Sequence, residues 1–142
     1  MKNFTDLTNK EKEMVLNWRN NIRVRENMYC NNEITLENHL KFIEKLSCDE
    51  KNKYFLIDDF GVIYFNNINN KEAEIGLYSN PTKYGVGDIL MKKILEFDFK
   101  YLYLDVIETN KKAIELYLNY NFKIKESRIN KNKSIIYMEL KR

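Results

Sequence analysis

Proline, glycine, histidine and cysteine are all scarce in this chain, whose 142 residues hold one Pro, four Gly, one His and two Cys. So little glycine and proline excludes a collagenous or low-complexity protein and leaves no flexible linker, so a single domain over residues 1–142 is expected. Cys30 and Cys48 lack CxxC spacing, and His39 is the lone imidazole between them. That excludes a disulfide scaffold and structural zinc, and it predicts two reduced, partly buried thiols. No apolar run approaches the length of a membrane span, and Met1-Lys2-Asn3-Phe4 begins no signal core, so a cytosolic protein is expected. There is no purely basic run of five residues, and the net charge is only +3, which argues against a nucleic-acid partner.

What is present is 44% hydrophobic and 32% charged, the balance of a globular domain. Asn3 to Leu7 reads as a short first strand. Thr8-Asn9-Lys10-Glu11 is a capping box opening a helix to about Asn20, followed by an irregular polar segment through Asn32. Thr35 caps a second helix with Leu36, Leu40, Ile43 and Leu46 on its apolar face. Tyr54 to Ile57 and Val62 to Phe65 form a hairpin about Asp58-Asp59-Phe60-Gly61, and Ala73 to Ser79 is a third strand. A helix from Val86 to Phe97 turns Ile89, Leu90, Ile94 and Leu95 inward. After the strand Tyr101 to Ile107, Asn110 caps a helix with Ala113, Leu116, Tyr117 and Tyr120 inside. Phe122 to Ser127 and Ser134 to Leu140 close the sheet. The order predicts an α+β fold, a mixed and mostly antiparallel sheet of about seven strands with about four helices.

Four of the five chain breakers, Gly76, Pro81, Gly85 and Gly87, fall at one strand-to-helix junction. Glycine permits positive φ and close backbone approach, and a helix start presents free N–H groups, so this junction is a candidate anion site. A P-loop is excluded because Asp88 follows Gly87, and a dinucleotide fingerprint is excluded because Leu90 stands where a third small residue belongs. A plain helix start after a Pro/Gly turn is the bland alternative.

Gly85-Val86-Gly87 before a helix resembles the Q/R-x-x-G-x-G/A acyl-CoA loop of the GNAT N-acetyltransferases, with Thr82 at the Gln/Arg position. Asn110-x-x-Ala113-x-x-Leu116-Tyr117, followed by Phe122, is similar to the second motif of that superfamily, with Asn121 in place of its glycine. Trp18-Arg19-Asn20, Leu36 to Phe42, Tyr54-Phe55-Leu56 and Glu74-Ile75-Gly76-Leu77-Tyr78 extend the resemblance, over nearly the whole chain, to the branch that acetylates nucleotide sugars.

The resemblance implies acetyl-CoA as co-substrate, no metal, and transfer to the 4-amino group of a UDP-linked amino-deoxy sugar in pseudaminic acid synthesis for flagellin glycosylation. Backbone groups of Tyr84, Gly85, Val86, Gly87 and Asp88 would hold the pyrophosphate. The pantetheine arm would add to the strand edge at Leu77, Tyr78 and Ser79, where one N–H polarises the carbonyl. Asn110 and Tyr117 would also meet the cofactor, with Tyr117 the general acid and Asp105 the base, directly or through water. Tyr117 as a packing residue and Asp105 as a structural carboxylate are the alternatives, and Glu108 reads as solvated. Arg19, Met28, Tyr29, His39, Phe42 and Tyr78 would face the acceptor, the alternatives being a surface cation for Arg19 and a partly exposed helix residue for His39. A protein or peptide N-terminal acetyltransferase, or a non-catalytic CoA-binding module, would share the cofactor motifs. The sequence leaves monomer and homodimer open.

Overall fold

The structure, a computed structural model, describes residues 1–28 and 30–142. In chain order the elements are β1 (Lys2–Asn3), α1 (Asn9–Asn20), α2 (Ile22–Arg25), α3 (Leu36–Leu46), β2 (Lys53–Ile57), β3 (Gly61–Asn69), β4 (Glu72–Ser79), α4 (Gly87–Leu95), β5 (Tyr101–Ile107), α5 (Lys111–Asn119), β6 (Lys123–Asn130) and β7 (Lys133–Lys141). The seven strands make one sheet in the order β1-β2-β3-β4-β5-β7-β6. Every pairing is antiparallel except β4 with β5, which is parallel. This is the expected mixed α+β sheet, with five α-helices among the described residues against the expected four or so. No helix among the described residues is long and apolar enough to cross a membrane.

Alternation along the strands sends neighbouring residues to opposite faces. Leu56, Val62 and Tyr78 meet Phe4, Val15, Trp18 and Ile43, so α1 and α3 cover one face. Ile57, Ile63 and Ile75 meet Leu90, Met91 and Ile94 of α4 on the other, where Leu104, Val106, Tyr117 and Phe122 join them. β5 therefore directs Leu102, Leu104 and Val106 to the α4 side and Asp105 to the α1 side.

Several local expectations are corrected. The first strand stops at Asn3, because the Asn3 side chain accepts the Thr5 N–H (3.0 Å) and turns Phe4–Asp6 into a 3-10 turn. That turn buries Phe4 and Leu7 together. The segment read as irregular contains α2, capped by Asn21. On α3 the apolar stripe is rotated: Leu36 and Leu40 are exposed, while His39, Ile43 and Leu46 are buried. The reason is a hydrogen bond, since His39 Nε2 donates to the Lys12 carbonyl of α1 at 2.9 Å. Within α4, Met91 points inward and Ile89 outward, and the helix ends at Leu95. Both cysteines are exposed free thiols, not partly buried ones.

Asparagine does much of the work that glycine does elsewhere. Among the described residues the non-glycine positions with positive φ are Asp58, Asn67, Asn70, Asn121, Lys131 and Asn132, at turns, at the β3 bulge between Asn66 and Asn69, or just after α5. Asn and Asp tolerate the left-handed region better than other side chains. Asn121 (φ 72°) thus replaces the motif glycine without changing the turn.

Gly76 is required for a different reason. Tyr64, from β3, lays its ring across Gly76 of β4, so that a Cβ there would overlap the ring. Tyr64 also stacks on Tyr54 at 4.7 Å and an interplanar angle of 13°. Gly76→Ala should therefore destabilise the protein by about 1–3 kcal/mol, the cost of forcing extra volume into a packed site. Thermal unfolding should show this, and trimming the ring in a Gly76→Ala/Tyr64→Leu double variant should restore part of the loss.

Candidate active site

The parallel pairing of β4 with β5 covers only Glu72↔Tyr101, Ala73↔Leu102 and Glu74↔Tyr103. Beyond Glu74 the strands part. β4 stays paired with β3 as far as Ser79, and β5 with β7 as far as Ile107. The facing edges of Ile75–Ser79 and Leu104–Ile107 are left without each other, and a cleft of about 680 Å³ opens there. The volume is within the range of small-molecule sites.

Helix α4 begins at the mouth of this cleft. The other helices start with a side-chain cap: Thr8 for α1, Asn21 for α2, Thr35 for α3 and Asn110 for α5. At α4 the capping position is Val86, which makes no such bond. Its first N–H groups are left for something else, at the positive end of the helix dipole. Asp88 in the first turn is drawn aside, its carboxylate accepting the Tyr120 hydroxyl at 3.0 Å. Gly85 has φ 69° and nothing within 4 Å of where a Cβ would stand, so the backbone is bare on the cleft side. Gly87 serves packing instead, since a Cβ there would approach Leu116 of α5 to 3.1 Å.

Of the sequence-derived cofactor residues, Leu77, Tyr78, Ser79, Tyr84, Gly85, Val86, Gly87, Asp88, Asn110 and Tyr117 all line this one cleft. Asn110 also caps α5 through the Ala113 N–H, at 3.4 Å. Tyr117 is buried beside Phe122 (ring centroids 5.7 Å apart). Burial pushes its phenol up to about 12. No described residue hydrogen-bonds its hydroxyl.

Asp105 reaches the cleft from the opposite face. Its Oδ1 accepts Arg128 Nη2 at 3.1 Å, and that guanidinium lies over the Tyr137 ring at 5.5 Å. Glu74 shares this face. Burial, then the Asp105 charge, pushes the Glu74 carboxyl upward, against an Asn67 side-chain hydrogen bond that lowers it.

The acceptor residues are dispersed. Met28 and Tyr78 line the cleft. Arg19 Nη2 holds the Cys30 carbonyl at 2.9 Å, and its Nη1 is buried without a partner. His39 lies between α1 and α3, where burial lowers its imidazole, and is not brought to the cleft. Phe42 packs edge-on against Tyr54 at 4.9 Å. Tyr29 lies outside the described residues. Sequence reasoning missed Arg23, Asn27, Tyr64 and Lys112 at the cleft, and the partner role of Arg128. Glu74 carried a signal, a charge between the apolar Ala73 and Ile75 of β4.

A sheet opened between β4 and β5, with an uncapped helix start at the opening, is the architecture of a GNAT N-acyltransferase. The spermidine N-acetyltransferase of Vibrio cholerae, solved with CoA and spermine, superposes with a TM-score of 0.84 over 95% of this chain and 92% of its own. At 19% identity that likeness is one of fold alone. No family model matches the chain. Two curated relatives, the acetyltransferases PseH of Campylobacter jejuni strains 81-176 and NCTC 11168, are 40% and 38% identical over 133 residues, 87% of this chain and 84% of each relative. The crystal structure of Campylobacter jejuni N-acetyltransferase PseH in complex with acetyl coenzyme A matches at 35% identity with a TM-score of 0.80, over 99% of this chain and 96% of that one. The chain belongs to the PseH family of N-acetyltransferases.

The electrostatic coupling of the two carboxylates can be read directly. Asp105→Asn removes one of the charges that raise the Glu74 carboxyl, so the Glu74 midpoint should move to lower pH. Carbon-13 NMR titration of the carboxyl, wild type against variant, measures the shift.

Proposed function

We propose that this chain, as one domain, transfers acetyl from acetyl-CoA to the 4-amino group of a UDP-linked amino-deoxy sugar. The observation that carries the proposal is the joining of the β4–β5 opening, the uncapped α4 start and Tyr117 in one cleft. The acceptor class follows from the family. The cleft fits an acyl-CoA: an anion site at one end leads to an unpaired strand edge able to receive an amide-bearing arm.

The two faces of the sheet divide the chemistry. Backbone N–H groups near Leu77 or Tyr78 polarise the thioester carbonyl. From the α1 side Asp105 receives the proton of the attacking amine, directly or through one water. From the α4 side Tyr117 protonates the departing thiolate. A phenol near 12 would be a poor donor to a thiolate in water, where the thiol ionises at about 8.5. With acetyl-CoA filling the cleft, desolvation raises the thiol as well, because it disfavours both anions, and the gap narrows. Met28 and Tyr78, which line the cleft, would face the acceptor. The exposed thiols of Cys30 and Cys48 suit the reducing cytosol.

Two measurements test this. Tyr117→Phe should lower kcat by about a hundredfold or more while leaving the acetyl-CoA KM within a few-fold. Because the phenol is raised to about 12, wild-type kcat should show no alkaline fall from its ionisation below about pH 10. A wild-type kcat in the variant would remove Tyr117 from the mechanism. CoA release should accompany the UDP-linked amino sugar and not a panel of peptide N-termini; release with peptides alone would move the protein to the peptide-acetylating branch.

A further inference from the structure

The Gln or Arg that opens the acyl-CoA motif is missing here, and Thr82 at that position brings no charge. The Thr82 N–H and hydroxyl both donate to Asn80 Oδ1, at 3.0 and 2.8 Å. Asn80 is itself buried and donates to the Asp59 carbonyl at 2.9 Å. This closed turn shapes the loop and offers no charge. The next residue, Lys83, pairs with Asp59 at 2.9 Å and lies over the Phe60 ring at 5.7 Å. An uncapped helix end supplies only about half a unit of positive charge. Coenzyme A brings a pyrophosphate and a ribose 3′-phosphate, several negative charges in all.

A cation reaches the cleft from far away in sequence. Arg23, on α2, donates from Nη1 to the Tyr84 hydroxyl at 3.1 Å, across a separation of 61 residues. Both residues line the cleft, and Tyr84 is 78% exposed. The other arginines of this segment are committed. Arg19 holds the Cys30 carbonyl, while Arg25 holds the Asn20 and Asn31 carbonyls and pairs with Glu33. Among the described residues Arg23 has no carboxylate within ion-pair distance; its partner is a neutral phenol, which orients the guanidinium without neutralising it. Arg23 and then Lys112 both pull the Tyr84 phenol downward, so two cations stand beside Tyr84 at the cleft.

We propose that Arg23 is the phosphate-binding cation of this cleft, held in place by the Tyr84 hydroxyl and supplying from α2 the charge that position 82 lacks. The assignment rests on the reading of the cleft as an acyl-CoA site. A guanidinium has five N–H donors in a planar fork, and the contact with Tyr84 uses one of them. The remainder suit a bidentate grip on phosphate oxygens.

Calorimetry with coenzyme A, 3′-dephospho-CoA and pantetheine tests it. Arg23→Ala should weaken coenzyme A about tenfold, the loss of one charge-assisted contact, and leave pantetheine, which has no phosphate, unchanged. Arg23→Lys, which keeps the charge and loses the fork, should fall between wild type and Arg23→Ala. If the loss disappears with 3′-dephospho-CoA, the partner is the 3′-phosphate; if it persists, the partner is the pyrophosphate. Equal coenzyme A affinity in Arg23→Ala, or an equal loss for pantetheine, overturns the assignment. Failure of the wild-type protein to bind coenzyme A at all would instead sink the acyl-CoA reading on which it rests.

Discussion

The three-residue pairing of β4 with β5 is the constraint on which the rest of the site depends. Neither strand is frayed. β4 keeps its ladder with β3 to Ser79, and β5 keeps seven partners on β7 from Tyr101 to Ile107. Each strand is therefore rigid along its outer edge while its inner edge holds unpaired N–H and C=O groups. Such groups are costly in a dry interior and are met here by an open cleft. The opening is also a slot through the sheet, so Tyr117 can approach it from the α4 face and Asp105 from the α1 face. The phenol and the carboxylate proposed as acid and base are thereby kept on opposite sides of the opening.

The start of α4 is the second consequence of that geometry. A side-chain cap adds about 1 kcal/mol to a helix, and α4 goes without one. Its stability comes from Leu90, Met91 and Ile94, all fully buried against the sheet. Packing along the helix offsets the loss at its end, and the free N–H groups remain directed at the cleft. Gly87 contributes by letting Leu116 close in, which sets α5, and with it Tyr117, beside the loop.

Local signals in the chain revealed most of this arrangement, and partners distant in sequence hid the rest. Strand β5, the Asn110 cap and Tyr117 were legible because motif, cap and helix face lie within twenty residues of each other. Asn121 could be read as a glycine equivalent because both residues tolerate the same dihedrals. On α3 the apolar stripe misled. Leu36 and Leu40 are exposed and His39 is buried, because the carbonyl that satisfies the imidazole belongs to another helix. No periodicity announces such a partner. Arg128 on Asp105 and Arg23 on Tyr84 were hidden for the same reason, being contacts made by topology.

The face proposed to receive the acceptor carries its own electrostatic problem. An attacking amine must be neutral, yet Glu74 and Asp105 stand on that face, and paired carboxylates hold an amine in its protonated form. Arg128, 3.1 Å from Asp105, offsets one of the two charges. Burial offsets the other, by raising the Glu74 carboxyl toward its neutral form. Both effects reduce the negative charge of the face and leave an Asp105 oxygen able to accept a proton. Asp105 is partly exposed, with one oxygen held by Arg128, and it remains accessible to a bridging water. A carboxylate buried as deeply as Tyr117 would lack that access, so the proposed division of roles, an enclosed acid and a base at the opening, matches the burial of the two groups.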